Sequence, residues 1–297
     1  MLTEQISSRF ADLDSWSTRD MLAAMYEGQL FAAAAVSSAL PAIASAVEDA
    51  IDPLRRGGRL VYVGAGTSGR IAIQDGAELP PTYDWPADRL VFAMAGGVGA
   101  LVRSVEGAED QEAAGAQAMA DADVGPNDVV IGVAASGTTP YTIGALRHAR
   151  NAGAITIAIA NNPGAPLFEV AKHRILVETG GEVVAGSTRM KAGTAQKIVL
   201  NLLSTAVMVR LGRVYGGLMV HMRASNQKLR RRAEIMVGQV VGCPAGEAAR
   251  FVEEAGGEVK LAILLGLGMK RADAAKALER HDGNLRLVIG DLAHVHD

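Results

Sequence analysis

Short, largely apolar runs alternate with longer helical stretches through the middle of the chain: Leu60–Val63, Leu90–Met94, Val129–Val133, Ile155–Ala160 and Ile175–Glu178. Runs without polar alternation, separated by glycine-bearing turns and helical segments, predict strands buried on both faces, so the expected class is α/β with a parallel sheet sandwiched by helices. Ahead of them the pattern is helical. Ser17-Thr-Arg-Asp20 has the form of a capping box, and an Ala-rich segment ends at Arg55-Arg-Gly-Gly58, with basic residues and glycine where a helix C-terminus favours them. Ser37, Ser38, Pro41 and Ser45 interrupt that Ala-rich stretch before Glu48 and Asp49, so a packed helix is expected there and not a membrane span.

From Ala192 to Arg210 the chain carries almost no helix breaker, and the basic run Lys228-Leu-Arg-Arg-Arg232 follows. That run reads as a solvated helix face near a boundary. Beyond it, amphipathic stretches over 245–254, 258–267, 271–280 and 284–292 are separated by glycine-containing turns. Three parts are therefore expected: a helical arm over 1–50, a ligand-binding α/β domain over 51–228, and a small helical domain over 229–297.

Two strand exits stand out chemically. Leu60–Val63 runs into Gly64-Ala-Gly-Thr-Ser-Gly-Arg70, and Val129–Val133 into Ala134-Ala-Ser-Gly-Thr-Thr-Pro140. A strand that ends in a small-residue turn and enters a helix directs backbone N–H groups, hydroxyls and the positive helix end at one small volume. Gly66, Thr67, Ser68 and Arg70 in the first turn, with Ser136, Thr138 and Thr139 in the second, are candidate ligands for a phosphate. Gly64-x-Gly66-x-x-Gly69 also matches the dinucleotide fingerprint. The acidic residue of that fingerprint belongs at the end of the second strand, whereas Asp84 precedes the next apolar run, so a phosphomonoester fits better than a pyrophosphate.

Composition narrows the partners. The 297 residues carry a net charge of −3, which disfavours nucleic acid, and only 4% are aromatic. A single cysteine, Cys243, excludes an internal disulfide framework or a multi-Cys metal site and points to the cytoplasm. The histidines show no metal spacing except His294-x-His296, read as an exposed tail.

Five stretches together resemble one family: Gly64–Arg70; Asp75-Gly-Ala-Glu-Leu-Pro-Pro-Thr-Tyr83; Val105-Glu-Gly-Ala-Glu-Asp110; Ala134–Tyr141; and Gly186-Ser-Thr-Arg-Met-Lys-Ala-Gly-Thr-Ala-Gln-Lys197. The resemblance is to the N-acetylmuramic acid 6-phosphate etherases, built on the sugar-isomerase (SIS) fold, and it covers nearly the whole chain from Thr3-Glu4 onward. Two positions depart from the family pattern: Thr138 stands where many members have Arg, and Gly76-Ala-Glu-Leu-Pro-Pro81 where many read Ala-Ser-Glu-Cys-Pro-Pro.

The resemblance implies cleavage of the lactyl ether of N-acetylmuramic acid 6-phosphate by elimination and water addition, a lyase reaction in cell-wall amino-sugar recycling that needs no metal or redox cofactor. Such a route requires a base at C2 and an acid for the departing oxygen. The resemblance places the base at Glu109 and the acid at Glu78; the residues alone do not choose among Glu106, Glu109 and Asp110. It also directs attention to Ser187, Thr188, Arg189 and Lys191 as groups near an anionic substrate. A sugar-phosphate sensor would need no carboxyl pair, and an aldose–ketose isomerase would lack the acid at C3. The expected partners are a small-molecule sugar phosphate and a second copy of the chain, because the helices flanking the predicted site carry more apolar surface than one sheet face covers.

Overall fold

The computed structural model describes residues 1–224 and 226–295, with side chains through Leu292. The His294 and His296 side chains lie outside the described residues. The chain forms two compact units, Met1–Ala77 with Ala87–Thr205, and Glu78–Pro86 with Ala206–Asp297.

In the first unit, α1 (Thr18–Ala35) and α2 (Leu40–Arg55) precede a five-stranded sheet. Ser17 caps α1: its Oγ accepts from Asp20 N at 3.2 Å and donates to the Asp20 carboxylate at 2.7 Å. Strands β1 (Leu60–Gly64), β2 (Leu90–Met94), β3 (Val129–Val133), β4 (Ile155–Ala160) and β5 (His173–Leu176) are all parallel, in the order β2-β1-β3-β4-β5. Helices α3 (Gly66–Ala77), α5 (Glu112–Asp121), α6 (Pro140–Asn151) and α7 (Lys191–Arg210) complete the layers, with α4 (Leu79–Tyr83) in the second unit.

Strand alternation divides the core. Val61, Val63, Val130, Ala158 and Ala160 pack with Met119 of α5 and Leu146 and Ala149 of α6 in one buried cluster. From the opposite face of β1, Tyr62 donates its hydroxyl to Asp75 of α3 at 3.2 Å, and α2 covers β3, β4 and β5. Asp75 also accepts from Asn201 Nδ2 of α7 at 2.5 Å. Its burial raises the carboxyl above the usual range, against hydrogen bonds from Ser204, Asn201 and Tyr62 that favour the charged form.

Four of the five expected strands lie where the apolar runs predict them. The fifth begins earlier, at His173 and not at Ile175. The reason is a polar anchor: His173 Nε2 lies 3.0 Å from Asp49 of α2, which also binds Lys172 at 2.7 Å, so a buried histidine serves as a strand residue. Just past the other end, Val177 N donates to Ala160 O and the Val177 carbonyl accepts from Asn161 Nδ2, each at 3.0 Å.

Helices Thr18–Arg55 and Lys191–Arg210 are apolar and long enough to cross a membrane by length and composition alone. In the fold, a 3-10 turn over Val36–Ala39 separates α1 from α2, and α2 packs on three strands. The N-terminal helices belong to the first compact unit. The two compact units divide at Thr205/Ala206.

The second unit is helical. Helices α8 (Gln227–Val241), α9 (Ala245–Glu254), α10 (Val259–Gly266), α11 (Arg271–Arg280) and α12 (Leu285–Val295) enclose a cluster that includes Val237, Val252, Ile263, Leu264 and Val288. Asn226 caps α8 by accepting from Leu229 N at 2.9 Å, and Lys228, Arg230, Arg231 and Arg232 are exposed.

Candidate active site

The strand order reverses between β1 and β3, which pair in register with Gly64 opposite Val133 at their C-terminal ends. An α/β sheet opens its ligand crevice at such a reversal point. Both hydroxyl-rich turns leave the sheet there, side by side.

The first turn closes on a hydrogen bond from Gly69 N to Ala65 O at 3.0 Å. Gly66 has φ +52°, in the left-handed region, and a Cβ on Gly69 would lie 2.7 Å from the Gly64 carbonyl. The glycines thus bring α3 close onto β1, with Thr67 and Ser68 in its opening turn. Ordinary α-helical geometry leaves the first N–H groups of α3 without acceptors inside the helix.

The second turn is built around Ser136. Its Oγ accepts from Thr138 N at 3.2 Å and from Thr138 Oγ1 at 3.0 Å, while Gly137 N donates to Ala134 O. Gly137 has φ +70°, and any side chain there would collide with Ala165. Thr139 occupies the N-cap position of α6, whose hydroxyl makes no capping bond, and Pro140 follows in the first turn.

Polar residues that the sequence reading missed fasten a third segment to the second turn. Asn162 Nδ2 donates to Ala135 O and to Thr3 Oγ1, Thr3 N donates to Asn162 Oδ1, and Gly186 N donates to Thr3 O. Asn161 receives Gln196 Nε2 at 2.9 Å. Through these bonds the N-terminal residues and the loop bearing Ser187 and Thr188 are tied to the ends of β3 and β4. The readable signal was the pair Asn161-Asn162 directly after a strand that is apolar except for Thr156.

The start of α7 differs from those of α3 and α6. Glu182, buried, accepts from Lys191 N at 2.9 Å and Ala192 N at 3.0 Å. An internal carboxylate therefore already fills the positive end of that helix. Lys191 Nζ donates to Gly181 O at 2.8 Å and lies 5.0 Å from the Phe31 ring centroid; burial lowers its pKa, with Glu182 opposing. Arg70 is also engaged, with Nε and Nη2 donating to Ala100 O and Nε to Leu101 O at 2.9–3.1 Å. Both cations stitch loops to the scaffold, while Arg189 is exposed.

Glu109 sits in a 3-10 turn over Ala108–Asp110 that packs against α6, the helix entered from the second turn. Glu106, Glu109 and Asp110 are all exposed. Glu78 belongs to the second unit, where it is the exposed N-cap residue of α4 with prolines in the following turn. Among the described residues, no three His, Cys, Asp or Glu side chains converge as a metal site.

Comparison with known proteins bears on this arrangement. The chain matches the family model for the glucokinase regulatory protein N-terminal SIS domain over residues 42–150, and the SIS domain model over 107–206. It is 50% identical to the N-acetylmuramic acid 6-phosphate etherase of Deinococcus radiodurans over 97% of this chain and 95% of that protein. The protein of the same name from Halalkalibacterium halodurans is 44% identical over 98% of both chains, and that of Mycolicibacterium smegmatis is 46% identical over 97% of both. Among solved structures, a phosphoheptose isomerase from Francisella tularensis superposes with a TM-score of 0.50 at 18% identity, covering 65% of this chain and 100% of that one; this likeness concerns the fold.

Proposed function

The chain belongs to the N-acetylmuramic acid 6-phosphate etherase family, and from that premise we propose how its residues carry out the reaction. The enzyme cleaves the lactyl ether at C3 of N-acetylmuramic acid 6-phosphate, giving N-acetylglucosamine 6-phosphate and D-lactate in the recycling of cell-wall amino sugar. It is a carbon–oxygen lyase.

An ether oxygen leaves poorly, so the barrier must be lowered by acidifying a neighbouring C–H. With the sugar ring open, the C1 aldehyde acidifies the C2 proton. Glu109 removes it, Glu78 protonates the departing lactyl oxygen, and water adds at C3 of the unsaturated intermediate. Each proton transfer by a positioned group contributes about 10²–10⁴-fold.

One observation carries the reading: the in-register pairing of Gly64 with Val133, which sets the two turns side by side where the strand order reverses. The 6-phosphate sits there, on N–H groups of Gly66, Thr67 and Ser68 and on the hydroxyls of Ser136, Thr138 and Thr139. Ser187 and Thr188 face the remainder of the sugar. Arg70 and Lys191 act through the loops they fasten.

The protein is expected to release D-lactate from N-acetylmuramic acid 6-phosphate with no added metal or nucleotide. Activity lost to a chelator and restored by a divalent ion would overturn the cofactor-free route. Ser136→Ala is expected to weaken binding of the phosphorylated sugar by about 1–3 kcal/mol, the range for a hydrogen bond to a charged group. Calorimetry with the unphosphorylated sugar provides the control; equal losses for the two ligands would remove the phosphate from this turn.

The active form is a cytoplasmic homodimer in this reading. Leu22, Tyr26 and Leu30 recur every four residues along α1 and are 59%, 65% and 54% exposed, an apolar stripe suited to a second copy. Light scattering is expected to report a dimer for the wild type and a monomer for the double variant Leu22→Asp, Tyr26→Asp. An active wild-type monomer at assay concentration would refute it.

A further inference from the structure

The second unit contains a cavity of about 300 Å³ that the etherase chemistry does not use. Lys260, in the first turn of α10, lines it and is only 6% exposed. Its Nζ donates to the Gly283 carbonyl at 2.5 Å, and among the described residues no carboxylate forms an ion pair with it. His221 lines the same cavity, and its Nδ1 is buried with no hydrogen-bond partner among the described residues.

Buried ammonium groups are normally paired, and buried polar nitrogens normally bonded. Here both conditions fail at one place. Burial, with Arg213 nearby, lowers Lys260 to about 7, and burial with Lys260, Arg213 and Arg223 lowers His221 to about 3. Arg213 is held by the carbonyls of Tyr83 and Asp84 and stacked 4.9 Å from the Trp85 ring centroid, so it adds positive potential from a fixed position. The acids at the cavity are differently disposed: Glu258 lies 3.6 Å from Arg223, while Asp84 and Glu279 are exposed.

The remaining wall is apolar, formed by Val220, Met222, Val259 and Leu278. An ammonium and an imidazole N–H beside an apolar wall select an anion with a carbon body over a bare inorganic ion. The volume is at the low end for ligand pockets, about 300–1,000 Å³. We propose that this cavity binds a short-chain organic monocarboxylate, its carboxylate on Lys260 Nζ and the Nδ1–H tautomer of His221, its carbon body against Val259 and Leu278. The anion supplies the counter-charge that the fold omits, and its binding does not depend on the etherase reading.

The test is calorimetric titration of the full chain at neutral pH with butyrate, its neutral isostere butyramide, and inorganic phosphate. Saturable butyrate binding is expected, at least tenfold tighter than either comparison compound. Lys260→Met is expected to weaken butyrate binding at least tenfold and to raise the melting temperature of the free protein, because an unpaired buried charge is replaced by an apolar group of similar length. Leu278→Trp, which fills the cavity without touching the charge, is expected to weaken butyrate binding as well. No binding to the wild type, equal binding of butyramide or phosphate, or unchanged binding in a folded Lys260→Met variant would each overturn the proposal. If Lys260→Met does not fold, the three wild-type titrations and Leu278→Trp decide it.

Discussion

Glu109→Gln is expected to abolish both D-lactate release and exchange of the substrate C2 proton with solvent, while Glu78→Gln loses release and retains exchange. The difference follows from the order of bond changes. An enolate at C2 forms without any acid at C3, so removing the acid leaves exchange intact; removing the base stops the first step and everything after it. Each loss in kcat is expected at about 10²–10⁴-fold. The check is to run both variants in deuterated water and follow the C2 signal by NMR beside a lactate assay. The reverse pattern would exchange the two roles. Glu106→Gln and Asp110→Asn serve as controls, since both lie in or beside the same exposed turn. A comparable loss in either would move the base to that residue.

What was legible in the sequence was whatever apolar periodicity dictates. Val129–Val133 is buried from end to end and Ile155–Ala160 at every residue after the first, so their lack of alternation marked both their limits and the two-sided covering of the sheet. The same logic failed at β5, where His173 and Arg174 open the strand and a hydrogen bond between the His173 ring and Asp49 replaces apolar burial. No local pattern announces a partner 124 residues away.

The candidate site divides similarly. Glycines with positive φ, Gly66 and Gly137, were readable because a turn at a strand exit needs them. The engagements of Arg70 and Lys191 were not, since a cation near an anion-binding motif reads identically whether it faces a ligand or the Ala100 and Gly181 carbonyls. Glu182 was missed for the same reason. Its role as a buried cap for α7 depends on a nine-residue return of the chain that spacing alone does not specify.

Gly115→Ala is expected to destabilise the protein by about 2–3 kcal/mol, lowering the melting temperature by roughly 5–10 °C. Alanine for glycine inside a helix ordinarily stabilises by about 0.5–1 kcal/mol, so the sign of the effect is itself the test. Here packing overrides propensity. A Cβ on Gly115 would overlap the carbonyl oxygen of Tyr141, and one on Gly144 would overlap that of Glu112, so α5 and α6 meet glycine against backbone in both directions. Neither obstacle is a side chain that can turn aside; relief requires the helices to separate, which opens the buried cluster around Met119 and Leu146. Gly246 of α9 supplies the comparison, because a Cβ there meets nothing within 4 Å, and Gly246→Ala is expected to stabilise by about 0.5 kcal/mol. Separation of α5 from α6 also displaces the turn carrying Glu109, which packs on α6 and ends two residues before α5 begins. Gly115→Ala is therefore expected to lower kcat for lactate release well below its melting temperature while substrate affinity at the two turns is retained. Normal stability in a calorimetric scan would show that the helices sit farther apart than this packing requires, and normal kcat would free Glu109 from dependence on it.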